Sequence, residues 1–323
     1  MRVVVIGSGL AGVTVAEALA KEPGYHVDLV TTETHGYYSR PRLSHAFSSD
    51  AHLVMKSFEA LAPVRVLAGV QVQRIDREKQ TIELQDTKPL DYETLVLATG
   101  SAARIPPVLA PFRPQFLTLN SLDDVLTLRR RRRKVLDRGA RPRWAIIGGG
   151  LIGCELASDL DKAGDAVTIY HRESRLMELQ YDEAQSQALH EHFASRGVAV
   201  HYHQDIREIF PRALYDGVVV STGFAPRIEL ARDAGLPTAR GIVVNSHLRT
   251  EDPAVYAVGV VAEVEGRLYA FVSPIRSQAL WLAQHLARRS DAPWSPPPFT
   301  PVVKIHGFKS MTKVLTPTNG DKL

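Results

Sequence analysis

The sequence is poor in cysteine and has no long apolar run. Its 323 residues include a single cysteine, Cys154. One thiol can form neither an intramolecular disulfide nor a CxxC pair, which excludes any mechanism that passes electrons through a protein dithiol. No run of about 18 apolar residues occurs, so no membrane span is predicted. The first strand is predicted from Arg2, which leaves no room for a signal peptide, and a cytoplasmic location is expected.

Clusters of metal ligands and nucleophile motifs are also missing. The twelve histidines are scattered along the chain. His201 and His203 share a predicted strand face but have no partner ligands nearby, so no metal site is predicted. No local context indicates a Ser-His-Asp arrangement either.

Charge of one sign is only slightly in excess. The 39 Lys and Arg residues outnumber the 35 Asp and Glu residues, for a net charge of +4. Much of this excess comes from the basic run at residues 129–134. One interpretation is a docking patch for an acidic partner or for nucleic acid. We favour a solvated helix face, because no aromatic residues are interleaved with the basic ones, and we predict no nucleic-acid partner.

The sequence does contain one structural unit twice. The first copy has an apolar strand, a glycine turn, a helical pattern and a second strand, at residues 2–6, 7–12, up to 21 and 27–30. The second copy has the same order, at residues 144–147, 148–153, up to about 163 and 166–170. Two copies of a strand–turn–helix–strand unit indicate two related domains, which also suits the length of the chain.

Both turns have the GxGxxG spacing. Its first glycine allows a tight turn, its second lets the backbone approach a pyrophosphate, and its third lets helix and strand pack closely. The N-terminus of the following helix offers free N–H groups to the phosphates. Each turn therefore predicts a bound dinucleotide. The predicted contacts are Gly7, Gly9, Leu10, Ala11 and Gly12 in the first turn and Gly148, Gly150, Leu151, Ile152 and Gly153 in the second.

The residues after each second strand indicate which nucleotide is bound. Glu33 lies 21 residues after Gly12, where a carboxylate can accept hydrogen bonds from an adenosine ribose. The matching place in the second unit holds His171 and Arg172, a cationic pair suited to a 2′-phosphate. We therefore predict NADPH over NADH, with two exposed loop residues as the alternative interpretation.

Further motifs carry a family resemblance. The chain has LVLATG ending at Gly100, VVSTG ending at Gly223 and VYAVG ending at Gly259. With the two turns, these motifs resemble the FAD oxidoreductases that have two dinucleotide-binding domains. The segments YSRPRLS at residues 38–44 and GCE at residues 153–155 are most similar to the rubredoxin and ferredoxin reductase branch.

The resemblance implies an α/β fold with two Rossmann-like domains, the second inserted in the first. The expected divisions are a discontinuous FAD-binding domain at 1–107 and 234–292, an NAD(P)H-binding domain at 108–233 and a short C-terminal segment at 293–323. The family's C-terminal interface domain, which helps dimerisation, is expected to be truncated here. A homodimer remains an open alternative.

The resemblance also implies residue roles. Arg40 and Pro41 would lie against the isoalloxazine, Glu155 near the meeting point of nicotinamide and flavin, and Lys304 near the flavin ring. A cation there would stabilise the negative charge that hydride leaves near flavin N1 and O2. The alternative interpretations are that Arg40 is a surface loop residue, that Glu155 is a charge at a helix N-terminus, and that Lys304 is a solvated side chain. The further cofactor contacts expected are Val72, Ala98, Thr99, Gly100, Thr222, Gly223, Gly259 and Val260.

The chain departs from the family pattern at two places. Where the family has Gly-Asp, with the aspartate bound to the ribityl chain of FAD, this chain has Gly259-Val260. Valine cannot accept that hydrogen bond, a loss of about 1–3 kcal/mol. The strand meander between Val200 and Val218 also looks abbreviated.

The predicted function is an FAD-dependent oxidoreductase that passes hydride from NAD(P)H to flavin and then electrons to an acceptor. The acceptor is a rubredoxin-like or ferredoxin-like protein or a small molecule. Two alternatives stay open. One is a flavin-dependent oxidase or oxygenase of a small metabolite, and the other is a degenerate, non-catalytic binding or assembly protein.

Overall fold

The computed structural model describes residues 1–49, 52–204 and 215–309. The α-helices are α1 (Leu10–Leu19), α2 (Leu122–Leu136), α3 (Leu151–Lys162), α4 (Glu183–Ser195), α5 (Glu229–Asp233) and α6 (Val272–Leu286). The 3-10 helices are Arg40–His45, Glu59–Leu61 and Pro107–Gln115.

The strands, in chain order, are β1 (Arg2–Ile6), β2 (His26–Thr31), β3 (Tyr37–Tyr38), β4 (Val54–Lys56), β5 (Arg65–Ala68), β6 (Val72–Asp76), β7 (Thr81–Leu84), β8 (Leu90–Asp91), β9 (Thr94–Leu97), β10 (Ser101–Ala103), β11 (Arg143–Ile147), β12 (Ala166–His171), β13 (Ala199–Tyr202), β14 (Gly217–Val220), β15 (Phe224–Pro226), β16 (Ile242–Val244), β17 (Val255–Ala257), β18 (Ala262–Val264) and β19 (Arg267–Leu268).

The first sheet is parallel and has the strand order β17-β9-β1-β2-β5. Its central strands are continuous apolar runs, as expected where both faces of a parallel sheet are covered. Val3, Val4 and Val5 are fully buried. Helices α1 and α6 pack against each other, and the antiparallel strands β6, β7 and β8 join the same core.

The second sheet is also parallel, with the order β13-β12-β11-β14. Trp144 on β11 is fully buried, and its indole N–H donates to Asp165 Oδ2 at 2.8 Å. Arg132 from the basic run binds the same carboxylate with two nitrogens, at 2.8 and 2.9 Å. Arg129 donates to Ala46 O at 2.6 Å. The prediction of a solvated face on α2 is therefore partly wrong, because Arg129 and Arg132 make tertiary contacts.

The strands of the second sheet lie in the chain between β9 and β17 of the first. At the crossing, β10 pairs antiparallel with β15. The predicted fold class, two Rossmann-like units with the second inserted in the first, is confirmed. The domain boundaries expected from the sequence stay predictions. The abbreviated meander falls largely on residues 205–214, outside the described residues. No helix in the described ranges is long and apolar enough to cross a membrane.

Candidate active site

The first glycine turn connects β1 to α1. Gly7 has a φ of +109°, and a Cβ there would lie 2.2 Å from Ala98 O. A Cβ on Gly12 would lie 1.8 Å from Gly7 O. Only glycine fits either position, whatever the ligand. A Cβ on Gly9, by contrast, would meet only the guanidinium of Arg40, with Nη1 at 3.1 Å. The turn therefore leaves the backbone at Gly9 open on one side, next to the flexible side chain of Arg40.

The second glycine turn, between β11 and α3, has the same construction. Gly148 has a φ of +116°, and its Cβ would lie 2.2 Å from Ser221 O. A Cβ on Gly153 would lie 2.0 Å from Gly148 O. A Cβ on Gly150 would meet nothing within 4 Å. The open middle glycine is the feature that lets a pyrophosphate reach the backbone.

Gly149 in this turn is held from both sides. Its N–H donates to His171 Nδ1 at 3.0 Å, and its carbonyl accepts from Met177 N–H at 2.9 Å and from the Cys154 thiol at 3.2 Å. A backbone N–H can only donate, so Nδ1 of His171 is unprotonated and Nε2 carries the hydrogen. His171 Nε2 lies 3.1 Å from Glu178 Oε2.

His171 is therefore not the exposed loop residue of the alternative interpretation. It ends β12 and is 7% exposed. The interpretation of His171 as a free cation for a 2′-phosphate is wrong, because both ring nitrogens already have partners. Burial is the largest single influence and raises the pKa of Glu178, but the hydrogen bond with His171, a backbone hydrogen bond and the charges of His171 and Arg175 together outweigh it, so the pKa is lowered. Arg172 is exposed, and its guanidinium binds Glu173 Oε1 at 2.5 and 2.8 Å.

Cys154 is fully buried beside this turn. Burial, and then the nearby Glu178 and Glu155, raise the pKa of its thiol well above the usual range. A thiol held protonated is a poor nucleophile. This agrees with the exclusion of dithiol chemistry from the cysteine count.

Glu33 follows β2 at the edge of the first turn. Its Oε1 accepts from Tyr38 Oη at 2.6 Å and from Arg40 Nη2 at 2.9 Å. Burial and the Glu33 hydrogen bond raise the pKa of Tyr38, although Arg40 opposes the shift. The structure thus places Arg40 beside Glu33 and Gly9. Pro41 is exposed at the start of the 3-10 helix Arg40–His45.

Glu155 lies on α3 and is 6% exposed. Its Oε2 accepts from Ser44 Oγ at 2.8 Å, and its Oε1 accepts from the Lys304 backbone N–H at 3.0 Å. His45 Nε2 lies 3.3 Å from the same Oε2. The structure therefore brings Glu155 together with Lys304 and the 3-10 helix of Arg40. Lys304 contributes its backbone to this contact, not its ammonium group.

Residues 301–309, here called the C-terminal strap, run along α3. His306 N–H donates to Ser158 Oγ at 2.8 Å, and Ile305 is buried. The carbonyl of His306 lies 3.0 Å from His192 Nε2 on α4. The strap is thus fixed to the second unit next to Glu155.

Asp159, one helical turn after Glu155, is fully buried. Its carboxylate accepts from Ser48 Oγ at 2.5 Å and from the backbone N–H of Phe47 at 2.7 Å, and it lies 3.1 Å from His306 Nε2. Burial raises the pKa of Asp159, but these hydrogen bonds together outweigh it, so the pKa is lowered. Sequence reasoning missed Asp159, for which the one available signal was its four-residue spacing from Glu155 on the same helix face.

The Gly259-Val260 turn packs against the start of α1. A Cβ on Gly259 would lie 2.9 Å from Ala11 Cβ, and Gly259 N–H donates to Gln278 Oε1 at 2.8 Å. Gln278 is fully buried on α6. Sequence reasoning missed Gln278, because a lone glutamine in a helix carries no motif.

Some of the remaining predicted contacts lie where the chain passes between the two sheets, and Val72 lies elsewhere. Thr99 Oγ1 donates to Arg227 O at 2.8 Å, and Thr222 Oγ1 donates to Arg104 O at 2.6 Å. Gly100 O accepts from Arg227 N–H at 2.9 Å. Val72 begins β6 and packs on the first core.

Comparison with known proteins identifies the family. The model of the pyridine nucleotide-disulphide oxidoreductases matches residues 1–281. The chain belongs to this family. A nitric oxide reductase FlRd-NAD(+) reductase of Salmonella gallinarum is 31% identical over 304 residues, covering 88% of this chain and 78% of the relative.

Two solved structures are similar over nearly the whole chain. One is putidaredoxin reductase in a covalent complex with putidaredoxin, with a TM-score of 0.81 and 30% identity, covering 94% of this chain and 79% of that one. The other is the ferredoxin reductase for the CYP199A2 system of Rhodopseudomonas palustris, with a TM-score of 0.79 and 29% identity, covering 92% and 78%.

The protein is therefore an NAD(P)H-dependent flavin oxidoreductase, as the sequence predicted. Its resemblance to the rubredoxin and ferredoxin reductase branch is confirmed. The single buried cysteine separates it from any family member that uses a protein disulfide as electron carrier.

Proposed function

We propose that the first turn binds FAD, that the second binds NADH, and that the electrons leave to a small acidic one-electron carrier protein. The observation that carries the proposal is the duplicated turn. In both copies the first and third glycines are packed against backbone carbonyls, while the middle glycine faces only a flexible arginine side chain or open space. Two sites of this construction in one chain match a reaction between two dinucleotides.

The residues of the first turn fit FAD. Gly9 leaves room for the pyrophosphate, and Arg40 lies beside it as a cation for the phosphate charge. Glu33 is placed for the adenosine ribose, with Tyr38 and Arg40 holding its carboxylate. Bound FAD supplies the hydride-accepting chemistry, and the protein orients it and sets the local charge. In this proposal Arg40 acts at the phosphates, not at the isoalloxazine.

The missing aspartate at Val260 removes one contact to FAD. The Gln278 amide fixes the neighbouring backbone by binding Gly259 N–H. A rigid turn against Ala11 lets the backbone of residues 259–260 act as a preorganised contact, which lowers the ordering cost of binding.

For the nucleotide, the surroundings of β12 favour NADH. A 2′-phosphate needs a free cation, and Arg172 is the exposed one at this place. Its guanidinium is paired with Glu173, whose carboxylate would repel the phosphate. A carboxylate at this place suits a ribose hydroxyl instead.

Glu155 is proposed to act where the two cofactors meet. Ser44 and the Lys304 backbone hold its carboxylate in one orientation, with both oxygens occupied. A fixed, buried carboxylate can position the nicotinamide amide without reorganising. The Lys304 ammonium group is proposed to stabilise charge at the flavin ring.

The acceptor is proposed from charge and from the relatives. The relative from Salmonella gallinarum is named an FlRd-NAD(+) reductase, and the two solved structures are named a putidaredoxin reductase and a ferredoxin reductase. Helix α2 presents the exposed side chains of Arg130, Arg133 and Lys134. Arg129 of the same helix reaches the backbone of Ala46, beside the 3-10 helix of Arg40. A basic surface next to the redox centre suits an acidic carrier.

The test is an anaerobic visible spectrum of the purified protein with each nucleotide. We expect a yellow protein whose flavin band bleaches with NADH, with a kcat/KM for NADH at least about tenfold above that for NADPH, a difference of about 1.4 kcal/mol. Glu173→Ala should lower the ratio of kcat/KM for NADH to kcat/KM for NADPH. A colourless protein that takes up no FAD would refute the assignment of the first turn, and equal use of both nucleotides would refute the NADH preference.

A further inference from the structure

Three potential metal ligands meet beside Glu155, each from a different part of the chain. His45 ends the 3-10 helix Arg40–His45, Asp159 lies on α3, and His306 lies on the C-terminal strap. One ligand atom from each side chain falls in a group whose members all lie within 4.8 Å of one another. The sequence prediction of no metal cluster missed this group, because the fold joins residues more than 100 positions apart.

One atom of this group lacks a partner. His45 Nε2 is shielded from solvent and makes no hydrogen bond among the described residues. Its nearest charged atom is Glu155 Oε2 at 3.3 Å, in a geometry that forms no hydrogen bond. A buried polar atom left unpaired costs about 1–3 kcal/mol. An imidazole nitrogen in this condition, facing a buried carboxylate, indicates that a cation belongs beside it.

We propose that His45, Asp159 and His306 bind one divalent transition-metal ion. Two imidazoles and a carboxylate suit zinc and its first-row neighbours, whereas magnesium and calcium prefer an all-oxygen site. Ligand bonds of about 2.1 Å place tetrahedral ligand atoms roughly 3.4 Å apart. Small rotations of the two histidine side chains bring the three ligand atoms to that spacing.

Binding of the ion changes the tautomer of His306. Lys162 Nζ lies 3.3 Å from His306 Nδ1, and an ammonium group can only donate, so His306 carries its proton on Nε2, facing Asp159 at 3.1 Å. Coordination by Nε2 needs the other neutral tautomer, so the hydrogen moves to Nδ1 and no net proton is released. Lys162 is exposed and free to rotate away. Asp159 keeps its bonds from Ser48 and Phe47, which orient the carboxylate as a second shell does.

The consequence of binding is mechanical. The ion joins the C-terminal strap to the 3-10 helix of Arg40 across α3, three elements that otherwise meet through hydrogen bonds. Binding to the folded state alone stabilises it in proportion to the logarithm of ion concentration over Kd. None of the three ligands is among the residues proposed to bind FAD or NADH, so a failure to bind the ion would leave the proposed redox function untouched.

The test uses tag-free, FAD-loaded protein treated with EDTA and then titrated with Zn²⁺ by calorimetry and with Co²⁺ by visible absorption. We expect one ion per chain and a higher Tm with Zn²⁺. His45→Ala and His306→Ala should each weaken binding by more than about 100-fold, because even second-shell changes cost 10–100-fold. His190→Ala, on α4 and bonded to Tyr202, is the matched control and should bind as wild type does.

The wild-type titration decides first. No saturable binding of Zn²⁺ or Co²⁺ at one ion per chain would overturn the proposal whatever the variants do. Binding that survives in both histidine variants would overturn it as well, since the ion would then sit elsewhere. FAD absorbance and circular dichroism of each variant confirm that it is folded before its titration is interpreted.

Discussion

His171 shows how one buried side chain can hold the glycine turn that is proposed to bind the nucleotide. Its Nδ1 accepts from Gly149 N–H, and its Nε2 meets Glu178. Gly149 lies between the two glycines that shape the turn, and a Cβ on it would come within 2.9 Å of the His171 ring. The imidazole therefore sets where the turn lies. Its buried hydrogen bond is made only by the unprotonated Nδ1.

At this residue scale we expect His171→Ala to raise the KM for NADH. Losing the acceptor of a buried N–H costs about 1–3 kcal/mol, or roughly 5- to 150-fold. His171→Asn offers an amide oxygen to Gly149 and should recover part of the loss. Steady-state kinetics measure the KM, and flavin reduction by dithionite is the control for an intact FAD site. A KM unchanged in His171→Ala would contradict the positioning role.

The glycine turns are the elements on which the two proposed cofactor sites depend. Their first and third glycines are required for packing alone, because their Cβ atoms would strike backbone oxygens at about 2 Å in both copies. The middle glycines have ordinary φ angles of −72° and −80° and face open space or a flexible arginine. Packing and ligand approach are thus assigned to different glycines of one turn.

This division at the element scale predicts opposite outcomes for two similar variants. Gly150→Ala should change the free energy of unfolding by less than about 1 kcal/mol, yet raise the KM for NADH more than about tenfold, because the methyl group occupies the pyrophosphate's place. Gly153→Ala, whose Cβ would lie 2.0 Å from Gly148 O, should lower the Tm by several degrees. Thermal unfolding and kinetics measure both effects. A Gly150→Ala enzyme with the wild-type KM would show that no dinucleotide lies against this turn.

For the whole molecule, the sequence was most informative where chemistry is local. The duplicated turn, its flanking strands and the insertion of one unit in the other follow from short patterns that any reader can match. The position of Arg40 at the first turn and the burial of His171 do not, since both depend on contacts made after the chain folds. The cluster of His45, Asp159 and His306 is harder still to predict, because no motif surrounds any of the three residues in the sequence.

Net charge is the other property of the whole molecule that predicts behaviour. Positive side chains on α2 lie on a helix that contacts Ala46, next to the 3-10 helix Arg40–His45 of the proposed flavin site. If an acidic rubredoxin-type acceptor docks there, turnover should fall steeply as ionic strength rises through the range where the Debye length drops below about 10 Å. Arg130→Glu with Lys134→Glu should reduce kcat/KM for that acceptor at low salt and flatten its salt dependence. Lys88→Glu, an exposed charge in the β7–β8 connection, is the matched control.

Turnover with an uncharged quinone should change little in these variants, because the nucleotide and flavin sites are untouched. Comparing turnover with the acidic protein and with the quinone separates effects on hydride entry from NADH from effects on electron transfer to the acceptor. If the acidic protein and the quinone respond alike to salt and to charge reversal on α2, the carrier does not dock on this helix. Electron exit must then be sought at a surface whose charge the α2 variants leave unchanged, with the entry of hydride from NADH still in place.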